Sequence, residues 1–235
     1  MWSSAAHYYA APNGRDENDC LSREQPCETI QAAVDKIPNG SGGTITLARG
    51  RYPNTAVNAM YRVVQINGDC DDPSEVILTG TGAIVRAQDE VILALQCFTI
   101  EAAGGIGIAA RQFAIVDYYR IRFGTMKIGV SLQEMSKANC LGRIELFGDQ
   151  ANFIHAADGS SAYVNCSMRL EGALHFNTFA IAAWDARIYA SAADIGWDVP
   201  ATGVKYRAIS STIFTPSNGF PGDGPGIADK TLTVH

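Results

Sequence analysis

Apolar and polar residues alternate in short runs along most of this chain. One three-residue rung, a polar residue, then Ile or Leu, then a charged or aromatic one, returns as Thr99-Ile100-Glu101, Arg120-Ile121-Arg122, Arg143-Ile144-Glu145, Arg169-Leu170-Glu171, Arg187-Ile188-Tyr189 and Thr212-Ile213-Phe214. The steps between central residues are 21, 23, 26, 18 and 25. Successive side chains of a strand face opposite ways, so each rung is expected to bury its centre and show its flanks. A period-2 pattern recurring every 22–23 residues predicts a coil of stacked strands.

Earlier in the chain the pattern differs. Residues 8–27 are rich in Asn, Asp, Gly, Pro and Ser and read as an extended lead-in with turns. Ile30, Ala33, Val34 and Ile37 then fall at helical spacing, predicting a short amphipathic helix over 29–37 that Pro38-Asn39-Gly40 stops. From Thr44 the runs are short and β-like: 44–47, 63–66, 76–79, 83–86 and 91–95, then the rungs. No helix long enough to cross over between parallel strands follows Ile37, which excludes a Rossmann-type layout. Gly105-Ile-Gly-Ile-Ala-Ala110, a partial dinucleotide fingerprint, reads as a strand turn for the same reason. The divisions are a lead-in and capping helix over 1–43, coils over 44–214 and a C-terminal extension over 215–235, all one domain. Seven or eight coils spaced about 4.8 Å apart would make a rod of roughly 35–40 Å. Such a rod exposes strand edges at both ends, so the helix is expected to cover one and the Gly219–Gly226 stretch, with Pro221 and Pro225, to close the other.

The chain has 235 residues, 47% of them hydrophobic, and a net charge of −6, which opposes non-specific nucleic-acid binding. It shows no run of 18 apolar residues and no basic segment leading into an apolar one, so neither membrane insertion nor a signal peptide is expected, and a chain complete at Met1 would be made in the cytoplasm. Six cysteines at 20, 27, 70, 97, 140 and 166 lack zinc-ligand spacing, which makes free buried thiols the default.

The run Tyr9, Pro12-Asn13-Gly14, Asp16, Asn18, Leu21-Ser22, Pro26 and Thr29–Asp35, followed by Gly50 and Tyr52, resembles the N-terminal cap of pectate-lyase-like proteins, and Val64–Asp69 resembles their first full coil. The resemblance implies an all-β, right-handed parallel β-helix. The end of the chain, Ala201-Thr202-Gly203, Lys205-Tyr206, Ile213, Asn218–Asp223 and Gly226, resembles the terminal coil of β-helix proteins encoded among bacteriophage and prophage tail genes. That likeness implies a virion appendage of the tailspike kind, homotrimeric, carried by other virion proteins and touching a host-surface polysaccharide. Unlike many tailspikes, this sequence has only about seven residues ahead of the coil and no C-terminal trimerisation module. Cys20 and Cys27 stand where relatives commonly have Gly and Phe; a bond between them, or of one of them to Cys70, is set against free thiols.

Four candidate chemistries follow. Arg120, Arg143, Arg169 and Arg187 would form one outward column, with Glu101, Glu145 and Glu171, interrupted by Arg122, beside it; this is either a salt-bridge lattice or a groove for an anionic glycan. Glu145 and Glu171 on adjacent coils would suit glycoside hydrolysis, although neighbouring arginines favour the carboxylate over the acid that must give up a proton. Asp69, Asp71 and Asp72 are the densest acid cluster and a weak metal candidate, lacking the glycine and final glutamate of an EF-hand loop. Tyr118, Tyr119, Trp184 and Trp197 are candidate sugar platforms, with one of the adjacent tyrosines facing outward and Trp184 in an apolar run that suits core or interface. His7, His155, His175 and His235 show no ligand spacing, and no cofactor is expected. The reading is a virion appendage that contacts a host glycan; the alternatives are a polysaccharide lyase or glycoside hydrolase, and a purely structural virion or capsid-decorating protein.

Overall fold

A computed structural model describes residues 6–190, 193–196 and 200–229. The chain is a parallel β-solenoid of about eight turns with little helix. Every strand pairing is parallel and joins one coil to the next, so the strands form three stacks. The first runs through Ala6–Ala10, Gly42–Leu47, Val63–Asn67, Ile92–Gln96 and Ile115–Tyr119 to the starts of Lys137–Leu146 and Ser161–Leu170, then Arg187–Tyr189 and Thr212–Phe214. The second runs from Gly50–Tyr52 through Val76–Gly80 to the starts of Thr99–Ala110 and Arg122–Leu132, the ends of the two long strands and Asp194–Gly196. The third takes Val57–Met60, Ala83–Gln88, the rest of Thr99–Ala110 and Arg122–Leu132, then Gln150–Ala156, Leu174–Ala183, Ala201–Ile209 and Ile227–Ala228. One continuous apolar core fills the space between them. Among the described residues no helix is long and apolar enough to cross a membrane.

All six rung centres are buried, but they do not form one column. Ile100 lies in register with Leu78 and Phe123, and that column continues to Leu146 and Leu170. Ile144 sits beside Met168, while Ile188 and Ile213 belong to the first stack in register with Ala162. The physical reason is that every coil offers more than one strand of the same alternating chemistry. A rung can therefore move from stack to stack while still returning at coil intervals.

The first coil also starts earlier than the sequence suggests. Residues 6–10 pair with 43–47, so the lead-in is itself a strand of the stack and the solenoid does not begin at 44. The helix is Ile30–Asp35, with the Thr29 hydroxyl accepting the Ala32 N–H at 3.1 Å. Ile30, Ala33, Val34 and Ile37 are buried against the end of the coil. At the far end Phe220 is buried on Phe179, ring centroids 5.3 Å apart, and the Gly224 N–H donates to Gly203 O at 3.0 Å.

The corner between the third and first stacks uses one recurring turn. Asp89-Glu90, Gln112-Phe113, Glu134-Met135, Asp158-Gly159 and Trp184-Asp185 all have positive φ. In each pair the second N–H donates to the first residue of the next coil's turn: Phe113 to Glu134 at 3.1 Å, Met135 to Asp158 at 3.0 Å, Gly159 to Trp184 at 2.9 Å. Left-handed backbone is costly for such side chains, and this cross-coil ladder satisfies the turn amides in return.

Candidate functional site

The second stack carries most of the paired charge. Its outward register runs Arg51, Ile77, Thr99, Arg122, Glu145, Arg169. Arg122 Nε donates to Glu145 Oε2 at 2.8 Å, its Nη2 reaches two coils along to Glu171 Oε2 at 3.1 Å, and its Cζ lies 4.8 Å from the Phe147 ring centroid. Arg143 Nη2 is 3.1 Å from the other Glu145 oxygen. Nearer the N-terminus, Arg51 Nη1 and Nη2 both donate to Glu101 Oε2, at 3.0 and 3.1 Å. Arg120, Ile121, Arg122, Arg143, Glu145 and Pro73 line a shallow basin of about 70 Å³. Arg120 stands on its rim in a turn with φ 51°.

This geometry corrects the arginine column. Arg143 is in register with Ser167, Arg169 with Glu145, and Arg187 with Ser161 and Thr212, while Arg120 lies between strands. Signs alternate along the stack from Arg122 to Glu145 to Arg169, so like charges are not superposed. The acidic column is broken too. Glu101 is in register with Thr79, and Glu145 with arginines on both sides.

Glu145 and Glu171 are brought together by sharing one guanidinium, which commits an oxygen of each to an ion pair. The Asp69–Asp72 cluster is turn chemistry. Asp69 accepts the Asp71 and Asp72 N–H groups and pairs with Arg49; its carboxyl is held below the usual range, first by the Asp72 amide. Asp72 accepts from the Ser74 hydroxyl and amide, and these hold its carboxyl low as well. Both Asp69 oxygens and one Asp72 oxygen are engaged in this way. Among the described residues no group of three or more His, Cys, Asp or Glu side chains is arranged to hold a metal ion.

The aromatic candidates separate. Tyr118 is buried, in edge contact with Phe123, and burial pushes its hydroxyl pKa up; Tyr119 faces outward. Trp184 is 61% exposed at the positive-φ corner, so of the two places its apolar run suited, core and interface, the core is excluded. Trp197 and His235 lie outside the described residues. Sequence reading missed the ring ladder Tyr163–Tyr189–Phe214, spaced 4.9 and 5.1 Å with planes 8° apart. Those rings spend their faces on one another, so they serve the stack and leave mainly edges to a ligand.

The free-thiol expectation is overturned. Cys20 is bonded to Cys27, Cys70 to Cys97 and Cys140 to Cys166, with Cα–Cα distances of 5.1, 4.7 and 5.5 Å. Cys70 therefore joins neither Cys20 nor Cys27. The separations of 27 and 26 residues are about one coil, which is what brings those partners side by side.

No protein-family model matches the chain, and no curated protein matches it. Among solved structures, the crystal structure of Escherichia coli YbhC is similar to it, covering 99% of this chain and 86% of that one at 10% identity with a TM-score of 0.44.

Proposed function

We propose that this solenoid is a non-catalytic, glycan-contacting appendage of a phage or prophage virion, and that the basin around Arg120, Arg122 and Arg143 receives an acidic sugar. The observation that carries the reading is the unequal use of the arginines. Arg122 is anchored on two carboxylates and Arg143 on one, whereas Arg120, in the same basin, has no ion-pair partner among the described residues. Anchored guanidiniums beside a free one suit recognition of a carboxylate or sulfate in a shallow, solvent-facing basin. The virion half of the reading is supported by the resemblance of the terminal coil to phage tail proteins. Three copies side by side belong to the same proposal, and the exposed corner residues Tyr61, Phe113, Met135 and Trp184 supply apolar surface for such contacts. With all six cysteines paired, the proposal has the mature chain working outside a reducing cytoplasm.

The test is calorimetric titration with uronate-containing and neutral oligosaccharides. Binding that requires the acidic units and falls about tenfold or more in Arg120→Ala/Arg143→Ala supports the reading. No affinity for any glycan would leave the structural-virion alternative in its place. New reducing ends or unsaturated uronate absorbance would bring back the depolymerase, which the shared guanidinium on Glu145 and Glu171 disfavours. Light scattering at high concentration checks the assembly, since a mass of one chain removes the trimer.

A further inference from the structure

The solenoid has a larger concavity than the basin, at its N-terminal end between the capping helix and the loop that joins strands 50–52 and 57–60. It has a volume of about 370 Å³, within the range of small-molecule sites, and its walls include Pro12, Glu28, Arg51, Pro53, Asn54 and Thr55. Its floor depends on a close approach: at Gly50, with φ 140°, an added Cβ would lie 2.8 Å from Pro12 Cγ.

Most polar groups around this cleft are already engaged. Gln31 Nε2 donates to Asp35 and to Asn58 O, and its Oε1 accepts the Asn58 N–H. Thr55 Oγ1 donates to Tyr52 O at 2.7 Å, and the Tyr52 hydroxyl lies 2.9 Å from both Ala10 O and Ala48 O. Two side chains differ. The Glu28 carboxylate and the Asn54 carboxamide, both exposed, make no side-chain hydrogen bond or ion pair with the described residues. Arg51 adds an Nε–H that its pairing with Glu101 leaves over.

We infer that this cleft is a second sugar subsite, one that takes a neutral hexose or N-acetylhexosamine unit. The free set comprises an ionised acceptor, an amide that both donates and accepts, and one guanidinium N–H, which suits neighbouring hydroxyls that must donate and accept in turn. Pro12 and Pro53 offer apolar wall to the C–H faces of a ring. An anion is disfavoured because Glu28 is unpaired and Arg51 is already neutralised by Glu101. A cation such as calcium would need more carboxylates than one. Arg51 and Arg122 share the outward register of the second stack, three coils apart, about 14 Å at solenoid spacing. The inference rests on the glycan reading for its biological meaning and extends it: the ligand is a polysaccharide of mixed neutral and acidic units.

The experiment is amide chemical-shift mapping on the ¹⁵N-labelled full chain with three separate probes: methyl β-glucoside, N-acetylglucosamine and glucuronate. The neutral probes are expected to move the amides of Glu28, Gln31, Asn54 and Thr55 saturably, and glucuronate those of residues 120–122 and 143. Glu28→Gln and Asn54→Gly, the latter suited to the φ of 52° at that position, are each expected to weaken the neutral probes about tenfold while leaving the glucuronate shifts unchanged. Spectra that otherwise superpose show that the variants fold. Absence of neutral-probe shifts at the cleft, or shifts that survive both substitutions, overturns the subsite. Glucuronate shifts at the basin would in that case keep the acidic-glycan reading standing, so the two ideas fail separately.

Discussion

The two halves of the solenoid are closed by different chemistry. The first coils are tied covalently: Cys20–Cys27 pins the lead-in, Cys70–Cys97 staples the turn that leads into the second stack, and the helix covers the open end. The last coils are closed by rings. Phe179 lies at a centroid distance of 5.4 Å from Phe153, 5.1 Å from Phe176 and 5.3 Å from Phe220, and Tyr163, Tyr189 and Phe214 stack on the neighbouring face. Cys140–Cys166 stands between the two regimes. In a solenoid each coil contacts mainly its neighbours, so local closure acts locally. Where the chain enters, a bond that restricts the unfolded ensemble serves; where it leaves, burial of large rings against the last coil does the same work by packing.

The most severe break of this comparison is Phe179→Ala. It removes a fully buried ring that touches three others, a change that costs about 3–5 kcal/mol. Native-state amide exchange is expected to show the loss in strand 201–209 and little change in 63–67. Equal loss in both strands would mean that the halves are not separately closed. Next in size come the cystines. By loop-closure entropy, removing Cys70–Cys97, separation 27, costs about 3.5 kcal/mol and removing Cys20–Cys27, separation 7, about 2.4 kcal/mol. Paired Cys→Ala variants in urea are expected to fall in that order, with exchange protection lost first in the N-terminal coils.

A smaller effect belongs to Tyr52→Phe. The hydroxyl is buried between the Ala10 and Ala48 carbonyls, and burial pushes its pKa up. Its removal is expected to cost about 1 kcal/mol, read as a lower urea midpoint at an unchanged slope. Ala10 belongs to the lead-in strand, so this variant sharpens the contrast: the N-terminal half should weaken and the phenylalanine cluster should not notice.

Coil length, strand alternation and the capping helix were legible because they follow from local periodicity in residues such as Ile30, Ala33 and Val34, and Ile100 and Leu170. Register was not. Ile188 and Leu170 have the same chemistry and each follows an arginine, and the varying length of each coil decides that one joins the first stack and the other the second. The arginine column failed for that reason, whereas Glu145 and Glu171 do lie close on adjacent coils, joined by Arg122. The corner turns were hidden because Gln112-Phe113 and Glu134-Met135 carry none of the Gly or Asn that announces positive φ. The two long-range cystines, in contrast, were within reach, since 70 and 97, like 140 and 166, stand about one coil apart.

The finest probe of the comparison is acid. Each half has a turn held by a carboxylate whose pKa lies below its ordinary value: Asp69, first through the Asp72 amide, and Asp223, first through the Gly203 N–H that it accepts at 2.8 Å. A depressed folded pKa means that the unfolded chain takes up the proton first. The stabilisation is therefore complete above the ordinary carboxylate range and is lost as pH falls below that range through the folded value. Asp223 is exposed, and Asp69, half-buried itself, pairs with an exposed Arg49, so the effect is small and further weakened by salt. Asp223→Asn is expected to flatten the acid limb of amide protection in strand 201–209 alone, and Asp69→Asn to do so around 70–80 alone. If either substitution flattened both regions, the turns would be coupled through the length of the rod, and closure at one end would be felt at the other.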